Sequence, residues 1–170
     1  MSANMNATSK RILTFFWTII LWSSVVLHSP SIAQTPRAAD IAVVVNADTP
    51  VTDLSLSEVR NVLLGERQYW NSKLPVVLLI RAPAARERDV VLRVIYQMSE
   101  AQFKQYWVAK IFRAEAAAPP RIVYSNDMQF ELLTALPGSI AFVDSRNMRA
   151  GVKVLRVDGH LPGEKDYPLR

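Results

Sequence analysis

The segment that decides the fold runs from Leu54 to Trp70 and reads LSLSEVRNVLLGERQYW. Ser55 and Glu58 form a capping-box pattern, in which two side chains three residues apart satisfy free N–H groups at a helix start. Three apolar residues then recur at helical spacing: Val59, Val62 and Leu63. Gly65 stands where a helix end favours a residue that accepts a positive φ. The pattern predicts a short amphipathic helix that stops at the glycine.

Two aromatic residues, Tyr69 and Trp70, follow this helix in a polar setting. One interpretation places them at the rim of a binding cleft or in a docking patch, since aromatic side chains are common anchors at interfaces. The other interpretation makes Trp70 a core residue that closes the edge of the domain. The segment contains no group that indicates catalysis.

Residues 1–33 have the features of an export signal. Two basic residues precede an apolar run over residues 12–27, and Ser31 and Ala33 place small side chains where a signal peptidase reads. A retained membrane anchor is the alternative, but no basic stop-transfer cluster follows the run. We predict a cleaved signal peptide and a periplasmic or secreted protein. The chain has no cysteine, which excludes a lipoprotein attachment site and disulfide bonds.

Residues 34–170 are long enough for one domain with an ordinary core. Residues 1–33 hold two of the 20 basic residues and none of the 15 acidic ones, so the rest of the chain carries a net charge of +3. This charge is compatible with an anionic partner. Basic and acidic residues are interspersed rather than gathered in a block, so nucleic acid is not an expected partner.

The alternation of apolar runs and helix signals predicts a small α/β domain, with a mixed, mainly parallel sheet flanked by helices. Strands are predicted at residues 41–45, 76–80, 121–124, 139–143 and 152–157. Further helices are predicted at residues 84–98, 99–115 and 126–136. The order strand, helix, strand at the start predicts a parallel pair joined by a crossover. The tail, residues 158–170, is polar and is expected to lie over the surface.

The sequence offers little for catalysis or for metal binding. After residue 33 the one histidine is His160, in a turn-like context, and no G-x-S-x-G motif accompanies it. Neither a G-x-G-x-x-G motif nor a P-loop is present, and the carboxylates lack ligand spacing. We therefore predict no catalytic residue, no cofactor and no metal, and a protein that is not an enzyme.

The segment from Arg81 to Arg86 is the candidate binding site. It joins a predicted buried strand to a predicted helix start, where free backbone N–H groups and the positive end of the helix dipole suit an anion. Arg81 and Arg86 would add charged donors, and Ala85 lies between them. The alternative is that both arginines are solvated, or are paired with the nearby acidic residues Glu87 and Asp89.

Four segments together resemble the phosphate-type periplasmic substrate-binding proteins. Residues 41–70 resemble that family's strand ending in Asn, followed by Leu-Ser/Thr-Leu, a helix, Leu-Gly and a Trp. Residues 76–84, VVLLIRAPA, stand where the family has a strand ending in Arg. Residues 137–143, PGSIAFV, resemble its Pro-Gly-Ala-Ile-Gly-Tyr strand, and residues 167–170, YPLR, its Tyr-Pro-Leu close.

The resemblance implies one lobe of a type 2 periplasmic binding protein fold, because the segment that would supply the other lobe is not matched. It implies a solute-binding protein for a small anion such as phosphate, or an assistant to an ABC-type uptake system, with Arg81 at the ligand. Ala85, Arg86 and Glu87 occupy the positions at which the family has its phosphate-binding Ser, Gly and Thr, in that order. Both hydroxyls are absent here and a carboxylate replaces Thr, so those hydroxyl contacts are not expected.

Two functions stay open. The first is solute binding, favoured if Arg81 and Arg86 converge on an open pocket. The second is a ligand-free interaction module that docks a membrane sensor or a transporter component, favoured if Glu87 pairs with one of these arginines and closes the loop. A domain with an uncovered cleft face is also expected to form a homodimer.

Overall fold

A computed structural model describes residues 39–170. The predicted signal peptide, residues 1–33, and the boundary that follows it lie outside these residues and remain predictions. No helix in the described part is long and apolar enough to cross a membrane.

Seven strands and four α-helices alternate along the described chain. The strands are β1 (Ile41–Asn46), β2 (Asp53–Leu54), β3 (Val77–Arg81), β4 (Arg121–Val123), β5 (Ser139–Asp144), β6 (Val152–Val154) and β7 (Arg156–Val157). The helices are α1 (Leu56–Leu63), α2 (Arg86–Val91), α3 (Glu100–Phe112) and α4 (Asn126–Ala135). A π-helical turn, Leu92–Tyr96, continues α2, and a 3-10 turn, Ser145–Asn147, follows β5.

Five strands form the main sheet, in the order β4-β3-β5-β1-β6. Strand β3 pairs in parallel with both β4 and β5, whereas β1 runs antiparallel to its neighbours β5 and β6. Four of the five strands therefore point the same way, which confirms the predicted mixed, mainly parallel sheet. The predicted parallel pairing of the first two long strands is wrong, because β5 lies between β1 and β3 and these two run in opposite directions.

The predicted helix signals are present. Ser55 and Glu58 form a complete capping box on α1, and Ser99 and Gln102 form another on α3. Gly65 follows α1 with a φ of +68°, in the left-handed region that glycine adopts without a steric cost. The predicted helix over residues 84–98 is shorter, because it begins at Arg86 and its last turn is π-helical.

The sheet separates two apolar clusters. The larger cluster packs α1, α2 with its π turn and α3 against one face of the sheet, and the smaller one lies beneath α4 on the other face. All six residues of β1 and all six of β5 are buried, as expected of strands covered on both faces.

The tail does not lie over the surface as predicted. Tyr167 and Leu169 are 2% and 0% exposed, and both belong to the larger cluster. The Tyr167 hydroxyl donates to the Ile41 carbonyl at 2.8 Å, and the Leu169 carbonyl accepts from the Ile41 amide at 2.8 Å. The polar residues around Tyr167 and Leu169 led to the prediction of a surface segment, but these two buried side chains hold the chain end beside β1. Burial raises the pKa of the Tyr167 phenol.

The predicted last strand is also two elements. Strand β6 belongs to the main sheet, whereas β7 pairs in parallel with β2 in a separate two-stranded sheet. Leu155, between them, is fully buried, so the chain passes from one sheet to the other at a core residue.

Candidate functional site

The carboxyl ends of three parallel strands define one edge of the main sheet. Strands β3, β4 and β5 end there at Arg81, Val123 and Asp144. In open α/β sheets, ligands bind in the crevice outside the carboxyl ends of the strands. The candidate site predicted from the sequence therefore lies at the edge where such a fold places one.

Arg81 is the last residue of β3, in register with Val123 of β4. The residue as a whole is half-buried. Two of its guanidinium nitrogens, Nε and Nη1, are fully buried and have no hydrogen-bond partner within residues 39–170. A buried donor without a partner is costly, and most such groups in native proteins are satisfied. These two N–H groups therefore lack the acceptor that such buried donors usually have.

Arg86 has a different environment. Its Nη1 lies 3.1 Å from Oδ2 of Asp144, and its Nη2 donates to the carbonyl of Ala39. Arg146 completes the cluster, with Nε and Nη2 at 3.0 and 2.7 Å from the two carboxylate oxygens of Asp144. The hydrogen bonds from Arg146, with the Arg86 charge as a smaller effect, hold the pKa of Asp144 below its usual value. Asp144, rather than Glu87 or Asp89, is the ion-pair partner of Arg86 in the described chain.

Strand alternation separates Arg81 from Arg86. Leu79 belongs to the cluster beneath α4, so Arg81, two residues further, leaves the sheet on that face. Phe142 belongs to the opposite cluster, so Asp144 and its partner Arg86 lie on the other face. The structure brings both arginines to one edge but does not place them in a common cluster.

The loop between β3 and α2 is tightly held. The Ala85 amide donates to the Ala82 carbonyl at 3.3 Å, and Ala85 occupies the N-cap of α2 without a side-chain bond. Ala84 has a φ of +68°, a conformation that costs a residue with a Cβ some free energy. Backbone strain of this kind is frequent at functional sites.

Arg88 supports this loop from beneath, a role that the sequence did not reveal. It is 2% exposed, and its Nη1 donates to the Arg81 carbonyl at 2.8 Å. Its Nε and Nη2 each lie 2.8 Å from an oxygen of Glu100, and the head group lies 4.9 Å from the ring centroid of Phe103. The same bonds lower the pKa of Glu100. A basic residue among four charges in a row carried no signal of burial.

The structure decides between the two interpretations of Trp70. Trp70 is 5% exposed, and its indole Nε1 donates to the Gly138 carbonyl at 2.8 Å. It is a core residue and does not contribute to a docking patch, whereas Tyr69 is 56% exposed. A side chain at Gly138 is excluded, because a Cβ at that position would lie 2.2 Å from the Pro75 carbonyl oxygen. Two of the motifs that carried the family resemblance thus meet in a packing contact.

No group of three or more metal-ligating side chains occurs within residues 39–170. The chemistry of the edge is instead that of hydrogen-bond donors. Arg86 and Arg146 pair there with the buried Asp144 carboxylate, and Arg81 lies at the same edge on the other face of the sheet.

Comparisons with known proteins support the fold. No protein-family profile and no curated protein sequence match the chain. An ABC-type phosphate transport receptor from Vibrio cholerae is similar in structure with a TM-score of 0.59 and 18% identity, covering 73% of this chain and 48% of that one. PstS from Borrelia burgdorferi gives a TM-score of 0.60 and 14% identity, covering 77% of this chain and 54% of that one.

A phosphate-binding protein from Stenotrophomonas maltophilia is similar with a TM-score of 0.54 and 14% identity, covering 75% of this chain and 41% of that one. The chain thus spans about half the length of the structures it matches. At these identities the likeness shows the fold alone, which is that of one lobe of such binding proteins.

Proposed function

We propose that the chain is an exported, non-enzymatic solute-binding domain that binds a small oxyanion, such as phosphate, at the carboxyl edge of its sheet. The observation that carries this proposal is the pair of buried N–H groups on Arg81, Nε and Nη1, which have no partner within the described chain. A bound oxyanion would supply two acceptors to them.

The chemistry of Arg81 suits this ligand. A guanidinium presents its donors in a fixed plane that matches the spacing of phosphate or carboxylate oxygens, and such charge-assisted bonds are strong. Because these atoms are buried, the bonds would form with little competition from water. We assign Arg81 the main role and give the loop through Ala85 and Arg86 a supporting one, since the Arg86 head group is already held by Asp144.

The similar structures favour the same ligand class. The Vibrio cholerae and Stenotrophomonas maltophilia structures are described as a phosphate transport receptor and a phosphate-binding protein. We extend this description to a periplasmic location and to work with an ABC-type transporter.

Thermal unfolding of the purified protein with phosphate, sulfate or a phosphonate tests the proposal. A ligand at about 100 times its dissociation constant stabilises a protein by roughly 2.7 kcal/mol, which is readily seen as a rise in Tm. We expect such a rise for at least one anion, and its loss in Arg81→Ala. Arg149→Ala removes an arginine near α4, which pairs with Asp127, and should keep the rise. If no anion raises Tm, solute binding at this edge is wrong.

A second candidate function, an interaction module, is favoured by the outer face of α3. Val108 and Phe112, four residues apart, are 70% and 90% exposed, and so lie on one unpartnered helical face. We propose docking of a membrane sensor or transporter component, or self-association, through this face if Arg81 binds no anion. Sedimentation that shows only monomers at high concentration, with no change in Phe112→Gln, would count against the homodimer.

A further inference from the structure

A cavity of about 240 Å³ lies beside the first residues of β3, away from the carboxyl edge. Its walls come from α1 and the segment after it, the start of β3, the middle of α3, residues 116–119, and the first residue of β4. The sequence motifs around Arg81 do not reach this region, and the oxyanion site proposed above does not use it.

Backbone and side-chain hydrogen bonds hold these walls together. The Gln68 side-chain Nε2 donates to the Glu115 carbonyl at 2.7 Å, which ties the segment after α1 to the segment after α3. The Gln68 carbonyl accepts from the Val76 amide at 2.9 Å, so the same residue also fixes the start of β3. The cavity is therefore formed before any ligand binds, as small-molecule sites usually are.

The inner wall is apolar and aromatic. Trp107 is 4% exposed and reaches the cavity beside Gly65, where a Cβ would lie 3.1 Å from the indole Cη2. The absence of a side chain at Gly65 thus lets the indole ring form part of the wall. Val62, Val76 and Ala116 continue this apolar surface.

The charged residues that line the cavity are all positive. Arg67 and Arg121 belong to the lining, which contains no aspartate or glutamate. Arg67 is held in place, because its Nε and Nη2 donate to the carbonyls of Tyr69 and Trp70 at 3.3 and 3.2 Å. Arg121 opens β4 and is exposed, with no ion pair among residues 39–170.

We infer that this cavity binds a small organic anion, with an apolar or aromatic body of roughly ten non-hydrogen atoms and one carboxylate. The body would pack against Trp107 and its apolar neighbours. The carboxylate would face Arg121, which offers an unpaired guanidinium at the cavity. An inorganic oxyanion lacks the apolar body and would gain nothing from this wall.

Calorimetric titration of the purified protein with phenylacetate, cyclohexanecarboxylate and hexanoate tests the inference. We expect saturable binding of at least one of them, and binding weaker by about tenfold for its uncharged amide, because the amide loses a charge-assisted bond. Ala116→Phe places a ring in the cavity and should abolish binding. Ala101→Phe makes the same change on the exposed start of α3, outside the lining, and should leave binding intact.

Arg121→Gln provides a test that does not depend on packing, because the side chain is exposed. In Arg121→Gln, we expect the carboxylate to bind only as tightly as its amide. In Arg149→Gln, the carboxylate should still bind more tightly than the amide. The inference is overturned if none of the three carboxylates binds, or if Ala116→Phe and Arg121→Gln bind as the unchanged protein does. Phosphate binding that depends on Arg81 would be unaffected by Ala116→Phe, so the two sites fail separately.

Discussion

Arg81 and Arg88 should respond in opposite directions to the same substitution. Without a ligand, Arg81 keeps two buried N–H groups unpaired, whereas every nitrogen of Arg88 donates to a carbonyl or a carboxylate. Methionine is an unbranched apolar residue that fills the space of the arginine stem without adding a polar atom. We expect Arg81→Met to raise the free energy of unfolding in anion-free buffer and Arg88→Met to lower it.

The magnitudes follow from the contacts. An unsatisfied buried donor costs about 1–3 kcal/mol. Because the rest of the Arg81 side chain is partly exposed, we expect a gain of about 1 kcal/mol in Arg81→Met. Arg88→Met leaves the Arg81 carbonyl without its donor and breaks the two bonds to Glu100, which is itself partly exposed, so we expect a loss of about 2–4 kcal/mol.

Urea unfolding followed by circular dichroism measures both changes, and a Tm shift of about 3–5 °C per kcal/mol provides a check for a domain of this size. A gain in stability combined with a loss of anion binding would identify Arg81 as a residue kept for function. The reasoning is refuted if Arg81→Met destabilises the anion-free protein as much as Arg88→Met does, since Arg81 would then be an ordinary structural arginine.

Three further predictions concern the packing and charge that support the edge. Trp70→Phe should cost about 1 kcal/mol in urea unfolding, because the Gly138 carbonyl loses one of its two donors while the Val77 amide remains. Gly138→Ala should prevent stable folding, seen as loss of cooperative thermal unfolding, because its Cβ would lie 2.2 Å from the Pro75 carbonyl oxygen. The hydrogen bonds from Arg146 lower the pKa of Asp144 in the folded protein. The ionised carboxylate therefore stabilises the fold at pH values above its unfolded-state pKa, and this stabilisation is lost as the pH falls through the folded-state pKa. Asp144→Asn should therefore flatten the decline of stability in acid below about pH 5.

The controls for these predictions are matched substitutions. Gly159→Ala tests the conformational cost alone, because Gly159 has a φ of +79° with no atom within 4 Å of an added Cβ, so cooperative unfolding should survive. Tyr69→Phe removes an exposed hydroxyl next to Trp70 and should leave stability nearly unchanged. A Gly138→Ala protein as stable as Gly159→Ala, or an acid decline unchanged in Asp144→Asn, would contradict the contacts described.

Local sequence patterns predicted the helices and strands well, because the interactions that start and end these elements join residues only a few positions apart. Both capping boxes, at Ser55 and Ser99, join side chains to amides three positions away, and the stop at Gly65 depends on its own φ. Strand order depends instead on contacts between distant segments. The sequence around β1 and β3 contains nothing that indicates that β5 inserts between them.

The position of Arg81 at the end of a strand could be predicted from the sequence, whereas the pairing of Arg86 could not. A strand that ends at Arg81 was readable as a run of apolar residues, and the parallel strands then place that residue at the carboxyl edge. The ion pair of Arg86 with Asp144 spans 58 positions, and nothing near either residue indicates it. Arg88 and Tyr167 were missed for a related reason, since burial of a polar side chain depends on partners elsewhere in the chain.

Calorimetric titration of phosphate, sulfate and methylphosphonate into the purified protein tests the central claim most directly. The account predicts that at least one of these anions binds at a single site per chain, that Arg81→Met abolishes the binding, and that Arg149→Gln preserves it. Absence of saturable binding for all three, or equal affinity in Arg81→Met, would contradict the claim that Arg81 is the main donor of an oxyanion site.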